Sequence, residues 1–301
     1  MCTGRVLETR RLEVRVRKFL RKASEAMAKL IFITVGVVVC APVFLVVTGS
    51  VMGQGDLYEC LAPVFQQGTG FVSWKLIPQY PTMENYIHLL FYSPEFFVLF
   101  WNSVKLVSLI LLGQMVVGVP AAWAFATYRV RGKNVVFTLY VVLMLLPFQV
   151  TMLSSYLTLE RLSLLNTHWA VILPAVFSTF PIFVIYGGFR SIPKALIEAA
   201  RIDGAGELYI FWMLGIGLGK GGILSALVLG FLEYWNLIEQ PFAFLEDKTL
   251  WPLSLYLPEI SWTQAGFAFA ASAVMLIPAV FVFVMGQDYL EQGIVYSGLK
   301  G

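Results

Sequence analysis

The chain has 301 residues, of which 58% are hydrophobic and 13% charged; this is too little polar surface for a soluble domain of that length and suits a polytopic membrane protein. The net charge of +3 reads as a topology signal, so no nucleic-acid partner is expected. Cys2, Cys40 and Cys60 form no CxxC pair, and neither they nor His88 and His168 stand at ligand spacing, so no disulfide framework, metal site or cofactor is expected.

Residues 1–26 form a basic segment held near anionic lipid, with Lys and Arg repeated from Arg5 to Lys22. From Met27 to about Val51 the charges nearly vanish. That run exceeds the roughly 20 residues needed to span hydrocarbon and the roughly 7 to 15 of a signal-peptide core, so it reads as an uncleaved span. The rest of residues 27–96 is a loop in which Lys75 stands against Asp56, Glu59, Glu84 and Glu95. Positive charge stays inside, which places this loop outside and both termini in the cytoplasm.

The second span opens near Asn102-Ser103 and ends at the basic turn Arg129–Lys133. A third covers about Val135 to Tyr156 with Pro147 and Gln149 inside it, and a fourth about Ala170 to Phe189 with Pro174 and Pro181. Prolines at such depths mark kinks that line a cavity or hinge, or simple packing irregularity. Leu208 to Leu232, broken only by Lys220, is a fifth span, and a sixth lies between Glu259 and Asp288. The expected fold is therefore all-α with six transmembrane helices.

Between the fourth and fifth spans lies SIPKALIEAARIDGAG, residues 191–206. Ser191 suits an N-cap and Pro193 a first turn, and the alanines and leucine that follow favour helix. Lys194, Glu198 and Arg201 fall at i, i+4 and i+7 along one side. Gly204 can take the left-handed conformation that ends a helix. At about ten residues this helix is far too short to span, and it follows an even number of spans, so it is expected to face the cytoplasm. Either it merely closes a loop, or it is a docking knob whose alanines permit close approach.

These residues carry a resemblance. E-A-A-x-x-D-G-A at 198–205 resembles the cytoplasmic signature of permease subunits of binding-protein-dependent ABC importers. PTMENY leading to FWNSVKL, LLNT at 164–167, EYWN at 233–236 and the ending GIVYSGLKG are similar to the carbohydrate-uptake branch, specifically its smaller, maltose-permease-like subunit. The resemblance implies the type I importer permease fold, with residues 97–301 as the permease core and a coupling helix within 192–207. It implies that ATP is hydrolysed elsewhere, by two partner ATPase subunits, so the chain is expected to have no enzyme activity of its own. The further partners implied are a second homologous permease, an extracytoplasmic solute-binding protein and membrane lipid, at a bacterial-type inner membrane. The coupling residues it implies are Glu198, Ala199, Ala200, Asp203, Gly204 and Ala205. The outer loop 239–262 corresponds to a family loop that can reach into the binding protein.

One departure stands out. Where the family has prolines, this chain has Gly217 and Gly221 in FWMLGIGLGKGG, which is expected to loosen the corner after the coupling helix. Gly217-x-Gly219-x-x-Gly222 follows no strand and is no dinucleotide fingerprint.

If the fifth span starts near Lys220, Glu233 lies about 20 Å into the membrane at about 1.5 Å per residue. An acid there faces a cavity or a partner, and with Trp235 and Asn236 it offers a candidate substrate path. The competing placements are the outer interface and a pairing with the partner permease. Lys105 is expected to snorkel at the outer end of its helix. An ion-coupled secondary carrier is the alternative function; it needs ionisable groups mid-membrane on several helices, and Glu233 alone qualifies. An intramembrane hydrolase lacks the required serine or acid with an activating base.

Overall fold

The computed structural model describes residues 3–67, 71, 72, 74, 78–256 and 264–298. Cys2, Lys75, residues 257–262 of the expected outer loop and residues 299–301 of the tail lie outside them. Among the described residues the secondary structure is helical, with one isolated antiparallel bridge between Met52 and Pro81. Among the described residues five helices are long and apolar enough to cross a membrane, and a sixth crossing results if one bent pair counts as a span.

The chain divides into two compact units, residues 1–85 with 260–273, and residues 86–259 with 274–301. In the first, α1 (Thr3–Ser50) carries the basic segment and the first span as one continuous helix. α2 (Gln54–Gln67) follows. Buried Asp56 accepts hydrogen bonds from the backbone of Gln79 (3.0 Å) and Tyr80 (3.1 Å), which gives an acid in an apolar stretch its partners. Asn85 donates to the carbonyls of Ser50 and Met52, both at 3.1 Å. Cys40 and Cys60 are free thiols.

The second unit takes in most of α3 (Glu84–Tyr92), then α4 (Pro94–Thr127), α5 (Lys133–Met144), α6 (Phe148–Arg161), α7 (His168–Val176), α8 (Thr179–Arg190) and α9 (Lys194–Ile202). After them come α10 (Glu207–Ile210), a π-helical segment Phe211–Ile216, α11 (Gly217–Trp235), α12 (Glu239–Phe244) and α13 (Ala265–Gly298), whose first residues belong to the other unit.

α4, α8 and α11 form the centre. At one end Val119 and Trp123 of α4 pack with Ile182, Ile185 and Phe189 of α8 and Ala226 of α11. Towards the other end, Leu106, Val107 and Ile110 pack with Val171 and Ile172 of α7 and Trp235 of α11.

Three expectations change. α4 begins at Pro94, ahead of Asn102-Ser103, because proline suits a first helical turn and neither polar residue breaks the helix. The third span is two helices bent by 101°: Pro147 sits extended at the N-cap of α6 (φ −67°, ψ 150°), and a residue before proline is pushed out of the helical region. The fourth span breaks at Phe177-Ser178, and Pro181 falls in the first turn of α8, where its missing N–H costs nothing.

In the glycine-rich corner the close contacts fall on glycines other than Gly217. Gly215, Gly219 and Gly222 share one face of the π-to-α helix and serve as contact points. A methyl group on Gly215 would sit 3.0 Å from the Trp123 ring, one on Gly219 2.4 Å from Phe189, and one on Gly222 2.9 Å from the Cα of Gly188. Small residues let two helix backbones touch. Gly217, by contrast, points into open space. The corner is tightened by its glycines on the packed side.

Candidate functional site

The charged interruption folds into a knob. α9 opens from Pro193 (φ −60°, ψ 125°), whose carbonyl accepts the Leu196 N–H at 3.1 Å. Ser191 does not cap α9: its hydroxyl donates back to the Gly188 carbonyl at 2.7 Å and closes α8 instead. Ile192 and Ile197 are buried in the cluster around Trp123 and Phe189, and Ala200 packs at its edge. These contacts seat the inner face.

The far end is a Schellman turn. Gly204 has φ +84°, its N–H donates to Arg201 (3.1 Å), and the Ala205 N–H reaches the Ala200 carbonyl (3.0 Å). The chain then starts α10 at Glu207. Arg201 departs from the expected ladder and grips Glu207 with both arms, Nε to Oε1 at 2.7 Å and the second nitrogen to Oε2 at 3.1 Å. The Tyr128 hydroxyl, just past the end of α4, donates to the same carboxylate at 3.2 Å. A planar guanidinium pairs such a carboxylate with fixed geometry, so the clasp holds α9 at a set angle to α4 and α10. Sequence reading missed Glu207 and Tyr128, although an acid at a helix start after a Schellman glycine was a usable signal.

What remains outward mixes charged, small and apolar residues. Leu196 is 45% and Ile202 85% exposed, and Ala199, Glu198, Asp203 and Gly204 are exposed with them. Of the expected coupling residues, Ala200 and Ala205 face inward in part, and the other four face out.

A second feature is a cavity of about 510 Å³ between the α5–α6 bend, the α7–α8 break, the end of α11 and α12. Non-helical backbone at membrane depth is tolerated where it lines such a cavity, so the proline breaks belong to it. Glu233 lines it, together with Tyr234, Gln240, Thr151, Ser155 and Ser178. The fifth span begins at Glu207 and not near Lys220. Glu233 therefore sits close to the end of a 29-residue helix, whose bounds agree with the span expected from Leu208. Tyr234 accepts a hydrogen bond from buried Gln114 at 2.8 Å.

Trp235 and Asn236 are not beside Glu233 in the cavity. Trp235 is buried against Phe231, ring centroids 5.4 Å apart, and donates to the Met275 carbonyl at 3.1 Å. Asn236 bonds back to Leu232 at the helix end, at 2.9 Å.

The described part of the outer loop is tied down. Asn102 donates to the Thr249 (2.7 Å) and Trp251 (3.0 Å) carbonyls, and the Leu253 N–H donates to Ser103 Oγ (2.7 Å). Asn166 accepts from the backbone of Glu246 (3.1 Å) and Asp247 (2.9 Å). Asp247 is held below the usual carboxylate range by the backbone and hydroxyl of Thr249. Lys105, more than two turns inside α4, does not sit at the helix end. Its Nζ lies 3.2 Å from Nδ1 of His168, whose Nε2 lies 3.2 Å from the Leu250 carbonyl. An ammonium only donates, so Nδ1 accepts and Nε2–H donates.

The model of one protein family, described as "Binding-protein-dependent transport system inner membrane component", matches residues 114–296. The arabinooligosaccharides transport system permease protein AraQ of Halalkalibacterium halodurans is 28% identical over 227 residues, 74% of this chain and 81% of that protein. The galactooligosaccharides transport system permease protein GanQ of Bacillus subtilis is 28% identical over 79% of this chain and 87% of its own length. The sn-glycerol-3-phosphate transport system permease protein UgpE of Yersinia pestis is 28% identical over 68% of this chain and 75% of its own length. A chain in the crystal structure of a bacterial ABC transporter involved in the import of the acidic polysaccharide alginate superposes with a TM-score of 0.72 at 22% identity, covering 89% of this chain and 96% of that one.

Proposed function

Because the chain belongs to the family of inner membrane components of binding-protein-dependent transport systems, we propose that it is the permease subunit of an ATP-driven importer of carbohydrate. The observation that carries this is α9: a short knob whose outward surface combines charged residues with exposed Leu196 and Ile202, clasped to α4 through Glu207 and Tyr128. Such a knob suits a soluble partner that pushes on it, and it supplies no chemistry itself.

Two ATPase subunits would receive α9 from this chain and from a second, homologous permease, with both termini on the ATPase side. Glu198 and Asp203 would make polar contacts in the receiving cleft, and Ala199 and Gly204 would permit close approach. Coupling then acts as a difference in binding between two states of the spans. Carbohydrate is supported by the oligosaccharide systems of the AraQ and GanQ relatives. Solute would pass beside Glu233 after delivery by the binding protein to the tethered outer loop. The ion-coupled alternative gains no second mid-membrane acid from the cavity lining, where Glu233 is the one carboxylate.

Vesicles holding this chain with its partner permease and ATPase subunits are expected to take up sugar when ATP and loaded binding protein are both supplied. Uptake that persists without ATP contradicts the importer reading.

The clasp gives a finer expectation. An exposed ion pair contributes about 1 kcal/mol or less to stability, so Glu207→Ala should unfold almost normally. It is nevertheless expected to lower ATP-driven uptake several-fold while ATP hydrolysis continues. Exchanging the charges, Arg201→Glu with Glu207→Arg, should recover part of the loss. Unchanged uptake in Glu207→Ala would remove the clasp from the mechanism.

A further inference from the structure

The cavity at Glu233 has a charge pattern that selects among sugars. Of the residues that line it, Glu233 is the one with an ionisable acid, and none is Lys, Arg or His. The carbonyl oxygen of Gln240 is buried there without a hydrogen-bond partner. One residue earlier, Glu239 accepts a hydrogen bond from Gln149 at 2.7 Å. The Thr151 hydroxyl is already spent on the Phe148 carbonyl at 3.1 Å. The wall therefore presents one carboxylate and one unpartnered carbonyl oxygen, with no cation, beside the hydroxyls of Ser155, Ser178 and Tyr234 and the rings of Phe148 and Phe180.

We infer that the solute handled by this cavity is an uncharged, polyhydroxylated sugar, and that sugars bearing carboxylate or phosphate are disfavoured. This rests on the importer reading above and narrows its substrate class. Sugar hydroxyls supply the donors that Gln240 and Glu233 lack, and pyranose C–H faces pack on aromatic rings. A carboxylate or phosphate group puts acceptors where a hydroxyl would donate, finds no cation in the lining, and meets Glu233 at close range in a medium of low dielectric. A buried acceptor left without a donor also weakens binding of the wrong ligand. The volume falls within the roughly 300–1,000 Å³ of small-molecule sites.

The test uses the purified complex of both permeases and the ATPase subunits, without binding protein, so that only the membrane cavity selects. Calorimetry compares a neutral trisaccharide with the same trisaccharide carrying a C6 carboxylate. The neutral sugar is expected to bind at least tenfold more tightly. Glu233→Gln should shrink that ratio towards one, and Glu233→Lys should reverse it, with gel filtration showing intact complexes. Equal or tighter binding of the carboxylate form to the unaltered complex overturns the inference. So does a ratio indifferent to both substitutions, or binding of neither sugar by a complex that performs ATP-driven uptake. Loss of ATP-driven uptake for every sugar would instead count against the importer reading.

Discussion

Gly204→Pro is expected to abolish ATP-driven uptake while the chain still accumulates in the membrane. Gly204 holds φ +84°, which proline, fixed near −65°, cannot adopt. The substitution also deletes the N–H that bonds Arg201 at 3.1 Å. Both changes unwind the Schellman turn and release Arg201 from Glu207, so α9 loses its angle to α10. The spans lose nothing, because Gly204 is exposed and a Cβ there meets no atom within 4 Å. Gly204→Ala has the space but not the backbone preference; a left-handed residue with a Cβ costs about 1 to 2 kcal/mol. It should reduce uptake and not abolish it. Wild-type uptake in Gly204→Pro would show that the turn has no part in coupling.

The second large effect is expected at the crossing of α8 and α11. Gly222→Leu forces a side chain into backbone: its Cβ alone would lie 2.9 Å from the Cα of Gly188 and 3.2 Å from its nitrogen. Neither atom can rotate away. Overpacking of this kind costs about 1 to 3 kcal/mol or more, a large part of a protein's total stability. The expected outcome is loss of folded, monodisperse protein by size-exclusion chromatography after heating. Gly217→Ala is the matched control, since it meets nothing within 4 Å. It should be neutral, or stabilising by up to about 1 kcal/mol, because alanine restricts the unfolded chain. If both substitutions behaved alike, the glycines would not be contact points.

Much of this was legible in the sequence, and the failures share a physical cause. The short helix, its glycine stop and its place between spans followed from local propensity and length, and α9 lies at Lys194–Ile202. Pro147 marked an irregularity but did not show that the span would divide into two helices there. What depends on a distant neighbour was not legible. Asn102 and Ser103 looked like a helix start because polar residues interrupt hydrophobic sequence; they are polar because they hold the backbone of Thr249, Trp251 and Leu253. That Gly215, Gly219 and Gly222 are packing positions was not legible either, since composition does not reveal the Trp123, Phe189 and Gly188 that lie against them. Trp235 looked like a sugar platform beside Glu233, yet adjacent residues on a helix point in different directions, and it faces the core.

The central claim is that α9 is the element of this chain that meets the ATPase. Its most direct test is cysteine cross-linking in the assembled complex, with Cys2, Cys40 and Cys60 replaced. Ile202→Cys, at a position 85% exposed, and Ala199→Cys are expected to link to an ATPase subunit through a short bifunctional reagent, and Ile197→Cys, 6% exposed, is not. A transport-competent complex in which neither outward position can be linked would contradict the account.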